Sequence, residues 1–541
     1  MKKLGWMTGG LIVVGLISPS WGNDTTNDTT SVGAAGIDAI RLHASPYNLI
    51  GRKIAIAQVE IGRPGQFGLD KSVSKYKPLA LAGVFLRNSP AVANTNVDNH
   101  AQNVASVMIS NTKGFQGVAP GARLYSAAVG SLRTGGQPEE CLTATNVAMQ
   151  NGGDVRAINF SFGETLERDP RPNARLDGES LLTRCIDWSA RVHNVLYAIA
   201  GNQGKGGIPI PTDNYNGVNV AFTTRRQGIF RKVDVTNLGD ATGGVGGRLK
   251  GREVNLANRR SISIVAPGSH IALSALDGKE NKVTGTSFAA PHVTATVALL
   301  QEYGDRRLRI AAKKHTKQPN WSLNARRHQV TKAVLLNSAD KVQDKGDCLR
   351  LGMSKTIIDK QNSDWTNSDA YREPRIPLNA QIGAGQLNAF RAYQQFKAGE
   401  WKPSATIPPI GWDYNKLQAN SNQDYELAPL KGGSFVAITL VWDRLVELRD
   451  NNKNDSFDVG ESFRDRGLNN LDLFLLNTDN QPVSSICTSV SQVDSVEHIF
   501  CPVSTTGKYK IRVQFRQQIN QPVQPYAIAW WTVPVVAKSE K

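Results

Sequence analysis

Long apolar runs are nearly absent from this chain. Beyond Ile17, no stretch of the 541 residues approaches the ~20 consecutive apolar positions a bilayer-spanning helix requires, which excludes a chain of several membrane-spanning helices. Cysteine is sparse: Cys141, Cys185, Cys348, Cys487 and Cys501 are the five, and no two stand in a C-x-x-C spacing. A cysteine-based zinc site is therefore not expected, and the odd number leaves at least one thiol unpaired within the monomer. Acids are outnumbered, 46 Asp and Glu against 63 Lys and Arg, for a formal charge of +17. Nine of the bases fall between Arg306 and Lys332 with no acid among them. Such a stretch can attract polyanions or an anionic envelope. It lacks the interleaved aromatics on which bases stack, so no nucleic-acid partner is expected, and it reads best as a solvated helix-loop-helix surface. No internal repeat or low-complexity tract is present.

The chain opens with an address. Met1-Lys2-Lys3, an apolar segment from Leu4 to Ile17 and the small residues around Ser20-Trp21-Gly22 form a secretory signal, with cleavage expected after Gly22. Losing Lys2 and Lys3 with it lowers +17 to +15. The mature protein is expected to be exported, extracellular or periplasmic, where disulfides are permitted. Its length suits two to four units at roughly 150 residues each.

After a polar leader over residues 23–35, apolar runs suited to buried parallel strands recur at Ile54–Val59, Arg123–Val129, Arg156–Ser161, Val195–Ala200, Val218–Thr223 and Ser261–Val265. Helical patterns lie between several of them, at His100–Met108, Thr143–Gln150 and Leu181–Arg191, and others follow Ser287 and His328. Strand alternating with helix predicts an α/β fold with a mostly parallel sheet over residues 36–398, its site beyond the carboxyl ends of the strands. From Lys402 the composition changes. Short alternating runs at Phe435–Trp442, Leu471–Leu476, Ile511–Phe515 and Tyr526–Trp531 predict an all-β sandwich over residues 399–541.

Three positions are candidates for chemistry. Ser287 sits in Gly285-Thr286-Ser287, a turn running straight into small apolar residues, which places a hydroxyl at the start of a buried helix. A serine attacks a carbonyl only if a base takes its proton and donors meet the developing oxyanion. His100 opens a helical segment beneath the polar loop "NTNVDN", where a base can face a cleft, although a capping or structural role also fits. Asn202 follows a buried strand and a glycine in "AIAGNQG", where its amide can donate to an oxyanion or simply occupy a turn.

Together these motifs resemble the subtilisin family of serine proteases. "GTSFAAPHV" resembles the family's serine motif, "HAQNVAS" its histidine motif, "GVAPGARLYSAAV" the strand after that helix, and "INFSFG" its substrate-binding strand. "AGNQG", "VAPG" and "GAGQLNA" fit the family's later segments, so the resemblance runs from about Gly36 to Phe396. It implies Ser287 as nucleophile, His100 as base, Asn202 as oxyanion donor, and Ser161, Phe162 and Gly163 as the strand that pairs with substrate backbone. Two departures stand out. Ala101-Gln102 replaces the usual Gly-Thr after the histidine, and Glu60-Ile61-Gly62 stands where D-[ST]-G is expected. The resemblance makes Glu60 the third catalytic member, with Gln58 and Asp70 as weaker rivals. Either carboxylate can hold an imidazole tautomer and stabilise the imidazolium, and the related sedolisins use glutamate.

The implied activity is that of an exported serine endopeptidase acting on proteins or peptides, with no cofactor needed for the chemistry. The alternative is a catalytically impaired scaffold that binds peptides along Ser161–Gly163. About thirty residues between Gly22 and the first strand leave no room for a folded inhibitory pro-domain. The C-terminal segment resembles sandwiches appended to exported bacterial proteases. There Cys487 and Cys501 are expected to bridge, Cys141 with Cys185 is a second candidate pair, and Trp530-Trp531 is a candidate binding platform, although alternation directs one of the two inward. The loop "DNNKNDSFDVGE" carries Asp450, Asn452, Asn454, Ser456, Asp458 and Glu461 at positions 1, 3, 5, 7, 9 and 12 of a calcium-loop spacing. A structural calcium ion is a candidate there, although position 6 is Asp455 where the sharp turn wants glycine, and an acidic solvated loop fits equally.

Overall fold

The computed structural model describes residues 31–535 apart from 74–78, 113, 131–135, 205–207, 235–251, 275, 278, 315–320 and 404. The secretory signal expected over residues 1–22 therefore lies outside the described residues. No described helix is long and apolar enough to cross a membrane.

The first part of the chain folds around a ten-stranded sheet. Its strands are β1 (Ala55–Glu60), β2 (Leu81–Leu86), β3 (Ser89–Pro90), β4 (Arg123–Ala128), β5 (Val155–Phe160), β6 (Leu196–Ala200), β7 (Val218–Arg226), β8 (Ile229–Val233), β9 (Ile264–Pro267) and β10 (Ile357–Ile358). The spatial order is β10-β8-β7-β6-β5-β1-β4-β2-β3, with β9 added onto β7. Pairing from β2 through β7 is parallel throughout, and the antiparallel exceptions are the β7–β8 and β2–β3 hairpins. The cause is visible in β1, whose six residues are all buried: apolar side chains go to both faces, so helices must cover both. On one side lies the 29-residue helix Thr286–Lys314, and on the other are Gln137–Ala148 and Leu181–Val192. Those last two are joined by the Cys141–Cys185 disulfide.

The second part is a sandwich of two four-stranded antiparallel sheets. One has the order Ile410–Gln418, Val523–Trp531, Phe435–Trp442, Val496–Pro502, and the other Asn422–Glu426, Lys510–Gln517, Asn470–Leu476, Thr488–Ser489. Cys487 and Cys501 are bonded, though Cys487 closes a 3-10 turn rather than lying within a strand, and Cys348 is free and exposed.

Trp530-Trp531 is no surface platform. Trp530 is fully buried between the two sheets, and Trp531 retains 8% exposure on the opposite face, where the Arg391 guanidinium stacks 4.2 Å from its ring. Alternation sends the two rings to opposite faces, as expected. The outer face is covered because helices His328–Asn337 and Ala389–Lys397 of the first part pack on this sheet. The basic segment is also less free than its composition implies. Arg306 meets Glu302, Arg326 pairs with Asp305 at 3.0 Å, and Lys332 is buried, donating to the Tyr215 carbonyl.

Candidate active site

The site lies at the carboxyl ends of the central strands. Glu60 is the last residue of β1, in register with Ala128 of β4. One carboxylate oxygen, Oε2, stands 3.1 Å from Nδ1 of His100, while Oε1 has no partner among the described residues. Helix Asn99–Ile109 begins where it does because the Asp98 side chain caps it, accepting from the Ala101 N–H at 2.9 Å. His100 is thus fixed in the first turn, facing the end of the strand. Glu60 is 1% exposed, and burial pushes its pKa up against the pull of His100. For His100 burial works downward, but the Glu60 carboxylate and then Asp98 outweigh it, so the imidazole is raised above its ordinary value. With Nδ1–H donated to Glu60, Nε2 is the free lone pair, and it has no partner among the described residues.

The rival residues are occupied elsewhere. Gln58 donates to the Ala101 carbonyl at 3.1 Å, and Asp70 forms a two-pronged pair with Arg63 at 2.6 and 2.8 Å. The departure after the histidine has a local reason: Ala101 is fully buried, and Gln102 accepts from the Gly65 N–H, tying the loop beyond β1 to the helix.

Ser287 is the second residue of helix Thr286–Lys314 and half-buried. Its approach depends on Gly268, where a Cβ would stand 2.6 Å from the Gly285 carbonyl. The bare backbone lets Gly285 N–H bond Gly268 at 2.8 Å. Pro291 lies four residues after Ser287 and has no N–H, so the Ser287 carbonyl loses its intrahelical donor. Ser161 supplies one, its Oγ donating to that carbonyl at 3.0 Å, and Ser287 Oγ returns a bond to the Ser161 carbonyl at 3.3 Å. This reciprocal pair joins the end of β5 to the serine. The Phe288 ring lies 5.5 Å from the His100 ring, so the two segments meet across the cleft.

Ser161, Phe162 and Gly163 continue β5; the Phe162 side chain is buried, stacked 4.3 Å from Phe160. At Gly163 a Cβ would come 2.2 Å from the Ile210 carbonyl, a contact only glycine avoids while Glu164 pairs with Ile210. Asn202 follows β6 and is 5% exposed. Its amide donates to Asp234 at 2.7 Å, a partner that "RKVDV" gave no reason to single out.

The Asp450–Glu461 loop joins two antiparallel strands, Val446–Arg449 and Ser462–Asp465, and closes on itself. Asp450 accepts from the amides of Lys453, Asn454 and Asp455, Glu461 from those of Asn451 and Asp458, and Asp458 from the Asn452 and Asn454 side chains. Among the described residues no group of three or more His, Cys, Asp or Glu is placed to hold a metal ion.

A family model described as the subtilase family, peptidase S8, matches residues 71–354, a span that begins after Glu60. The thermostable alkaline protease of Halalkalibacterium halodurans is 24% identical over 237 residues, 43% of this chain and 55% of that protein. Subtilisin Savinase of Lederbergia lenta is 24% identical over 277 residues, 50% of this chain and 84% of that protein. Subtilisin DY of Bacillus licheniformis is 26% identical over 215 residues, 38% of this chain and 65% of that protein. The chain thus spans about half the length of the first of these relatives and more of the second.

Proposed function

This chain belongs to the subtilase family, and from that premise we propose that it is a serine endopeptidase cleaving proteins or peptides through an acyl-enzyme on Ser287. The 3.1 Å contact between the buried Glu60 carboxylate and His100 Nδ1 carries the reading, because it leaves Nε2 as a lone-pair base on a ring that lies 5.5 Å from that of Phe288, the residue after Ser287. A turn of the Ser287 hydroxyl away from the Ser161 carbonyl brings it into service, a tightening common when substrate binds. Oγ then attacks the scissile carbonyl as its proton passes to Nε2. Glu60 stabilises the imidazolium without taking the proton. The oxyanion accepts from Asn202 Nδ2 and the Ser287 N–H, His100 returns its proton to the leaving amine, and water repeats the sequence on the ester. Substrate backbone lies along Ser161–Gly163.

Labelling with a phosphonofluoridate tests the assignment. Stoichiometric label on Ser287, with loss of casein digestion in a folded Ser287→Ala variant, is the expected result. A folded wild-type protein that neither labels nor cleaves is instead the peptide-binding scaffold. Export rests on the signal at residues 1–22 and predicts a mature N-terminus at Asn23. A structural calcium ion at Asp450–Glu461 is a separate proposal supported by the spacing of its oxygen residues. A melting temperature unchanged by EDTA, in wild type and in Asp450→Ala alike, removes it.

A further inference from the structure

Two neighbouring strands, β8 and β10, bring an unexpected charged group to Asn202. Lys232 lies on β8, opposite Thr223 of β7, and Asp234 follows one residue after that strand. Lys360 comes two residues after β10, which pairs with β8. Asn202 Nδ2 donates to Asp234 Oδ1 at 2.7 Å, and the Lys232 ammonium reaches Asn202 Oδ1 at 3.4 Å while also bonding Asp234 Oδ1. Lys360 holds the other Asp234 oxygen. The side chains of Lys232 and Asp234 are 1% and 12% exposed. Burial disfavours the Asp234 charge, but Lys232, Lys360 and the Asn202 amide outweigh it and hold the carboxyl well below the usual range.

Asn202 Oδ1, Lys232 Nζ, Asp234 Oδ1 and Asn202 Nδ2 close a ring. A carboxamide is planar, so a ring through both its oxygen and its nitrogen uses the N–H on the oxygen side. The second N–H then points along the opposite edge, and no described residue accepts it. The ring also reads orientation. A flipped amide would place NH₂ against an ammonium and oxygen against a carboxylate, both repulsive.

We propose that Asp234 and Lys232 are positioning residues for the oxyanion site, fixing the Asn202 amide so that its one uncommitted N–H donates to the tetrahedral intermediate. A preorganised donor needs no reorientation as charge develops, which is where such a site acts. Neither side chain touches substrate in this arrangement. The proposal rests on the peptidase reading above.

A double-mutant cycle separates the two. Wild type, Asn202→Ala, Asp234→Ala and the double variant are compared for kcat and KM on casein, with folding followed by thermal melting. Asn202→Ala is expected to lower kcat by ~10²–10³. Asp234→Ala should lower kcat roughly tenfold with KM little changed, and should have no further effect once Asn202 is alanine, because its action passes through that amide. If Asp234→Ala does not melt cooperatively, the near-isosteric Asp234→Asn replaces it, with the same coupling expected. Should Asp234 variants keep full kcat, raise it, or lower it equally in the Asn202→Ala background while Asn202→Ala itself is impaired, the positioning role is overturned and the peptidase reading stands. If Asn202→Ala retains wild-type kcat, both the oxyanion assignment and this inference fall.

Discussion

Glu60 reaches Nδ1 of His100 at 3.1 Å through one carboxylate oxygen from the last position of a fully buried strand. The Glu60 charge raises the imidazole above its usual value of about 6.5. A base must be neutral, so kcat/KM should rise with pH through a midpoint above that value. Glu60→Gln removes the charge: the midpoint should shift to lower pH, and kcat should fall by ~10⁴. Glu60→Asp draws the carboxylate back by one methylene from a contact already at 3.1 Å. A loss of up to ~10² is expected, as for misplacements of about 1 Å. Stability carries its own sign. Because the folded imidazole is raised, the stabilisation from its pairing is complete below about pH 6.5 and is lost as pH rises through the folded value. A pH–rate profile for the three proteins, with melting curves alongside, checks each of these.

Asp70 and Arg63 are both fully buried, and Arg63 also donates to the carbonyls of Pro64 and Val92. Burial opposes the Asp70 charge, but Arg63 and the amides of Gln66 and Asn94 outweigh it and hold the carboxyl below its usual range. Asp70→Asn strands the guanidinium and should cost about 3–5 kcal/mol in chemical denaturation. Its kcat should match wild type at temperatures where it stays folded. A catalytic loss in folded Asp70→Asn would place the acid here rather than at Glu60.

Much of this arrangement is legible in the sequence, because periodicity and local motifs carry it. The runs at Ile54–Val59 and Arg123–Val129 fall within a residue of β1 and β4, and "GTSFAAPHV" marks the helix start at Thr286. What could not be read are contacts made over long separations between polar residues of ordinary appearance. Nothing in "RKVDV" points to Asn202, and nothing in "WDRLVE" marks Arg444 as a residue buried against Asp187, 257 positions earlier. The strand Leu81–Leu86 is an apolar run too, LAGVFL, yet it is not among the expected strands; only Val84 of its six residues is buried, because it lies next to the edge of the sheet. The expectation of a binding platform at Trp530-Trp531 fails for a different reason: alternation gives a side chain's face, not what covers it.

Both disulfides should register in thiol counts and in stability. In native, non-reduced protein only Cys348 is expected to alkylate. The bridges close separations of 14 and 44 residues, so chain entropy assigns roughly 3 kcal/mol to Cys487–Cys501 and about 4 kcal/mol to Cys141–Cys185. A Cys141→Ala/Cys185→Ala variant should therefore melt below Cys487→Ala/Cys501→Ala. The reverse order would show that strain or residual structure dominates over loop length.

Arg444 decides whether the sandwich is an accessory or part of the fold. Its side chain is 2% exposed; it bonds Asp187 at 2.8 Å and the Gly178 carbonyl at 2.8 Å, and lies 4.5 Å from the Tyr215 ring, all in the first part of the chain. Asp187 is itself fully buried, so losing the guanidinium leaves a carboxylate bonded by the amides of Tyr215 and Asn216, with Arg259 and Lys332 acting only through space. Arg444→Met should cost about 3–5 kcal/mol, the usual consequence of breaking a buried pair from one side. Asp187→Asn in the same background removes the stranded charge and should recover part of that loss, since a buried pair replaced on both sides is often near neutral. Because Asp187 holds the turn leading into β7, the single variant should unfold both parts in one transition. Two separated melting transitions, or a double variant no more stable than Arg444→Met, would mean the contact joins independently stable units.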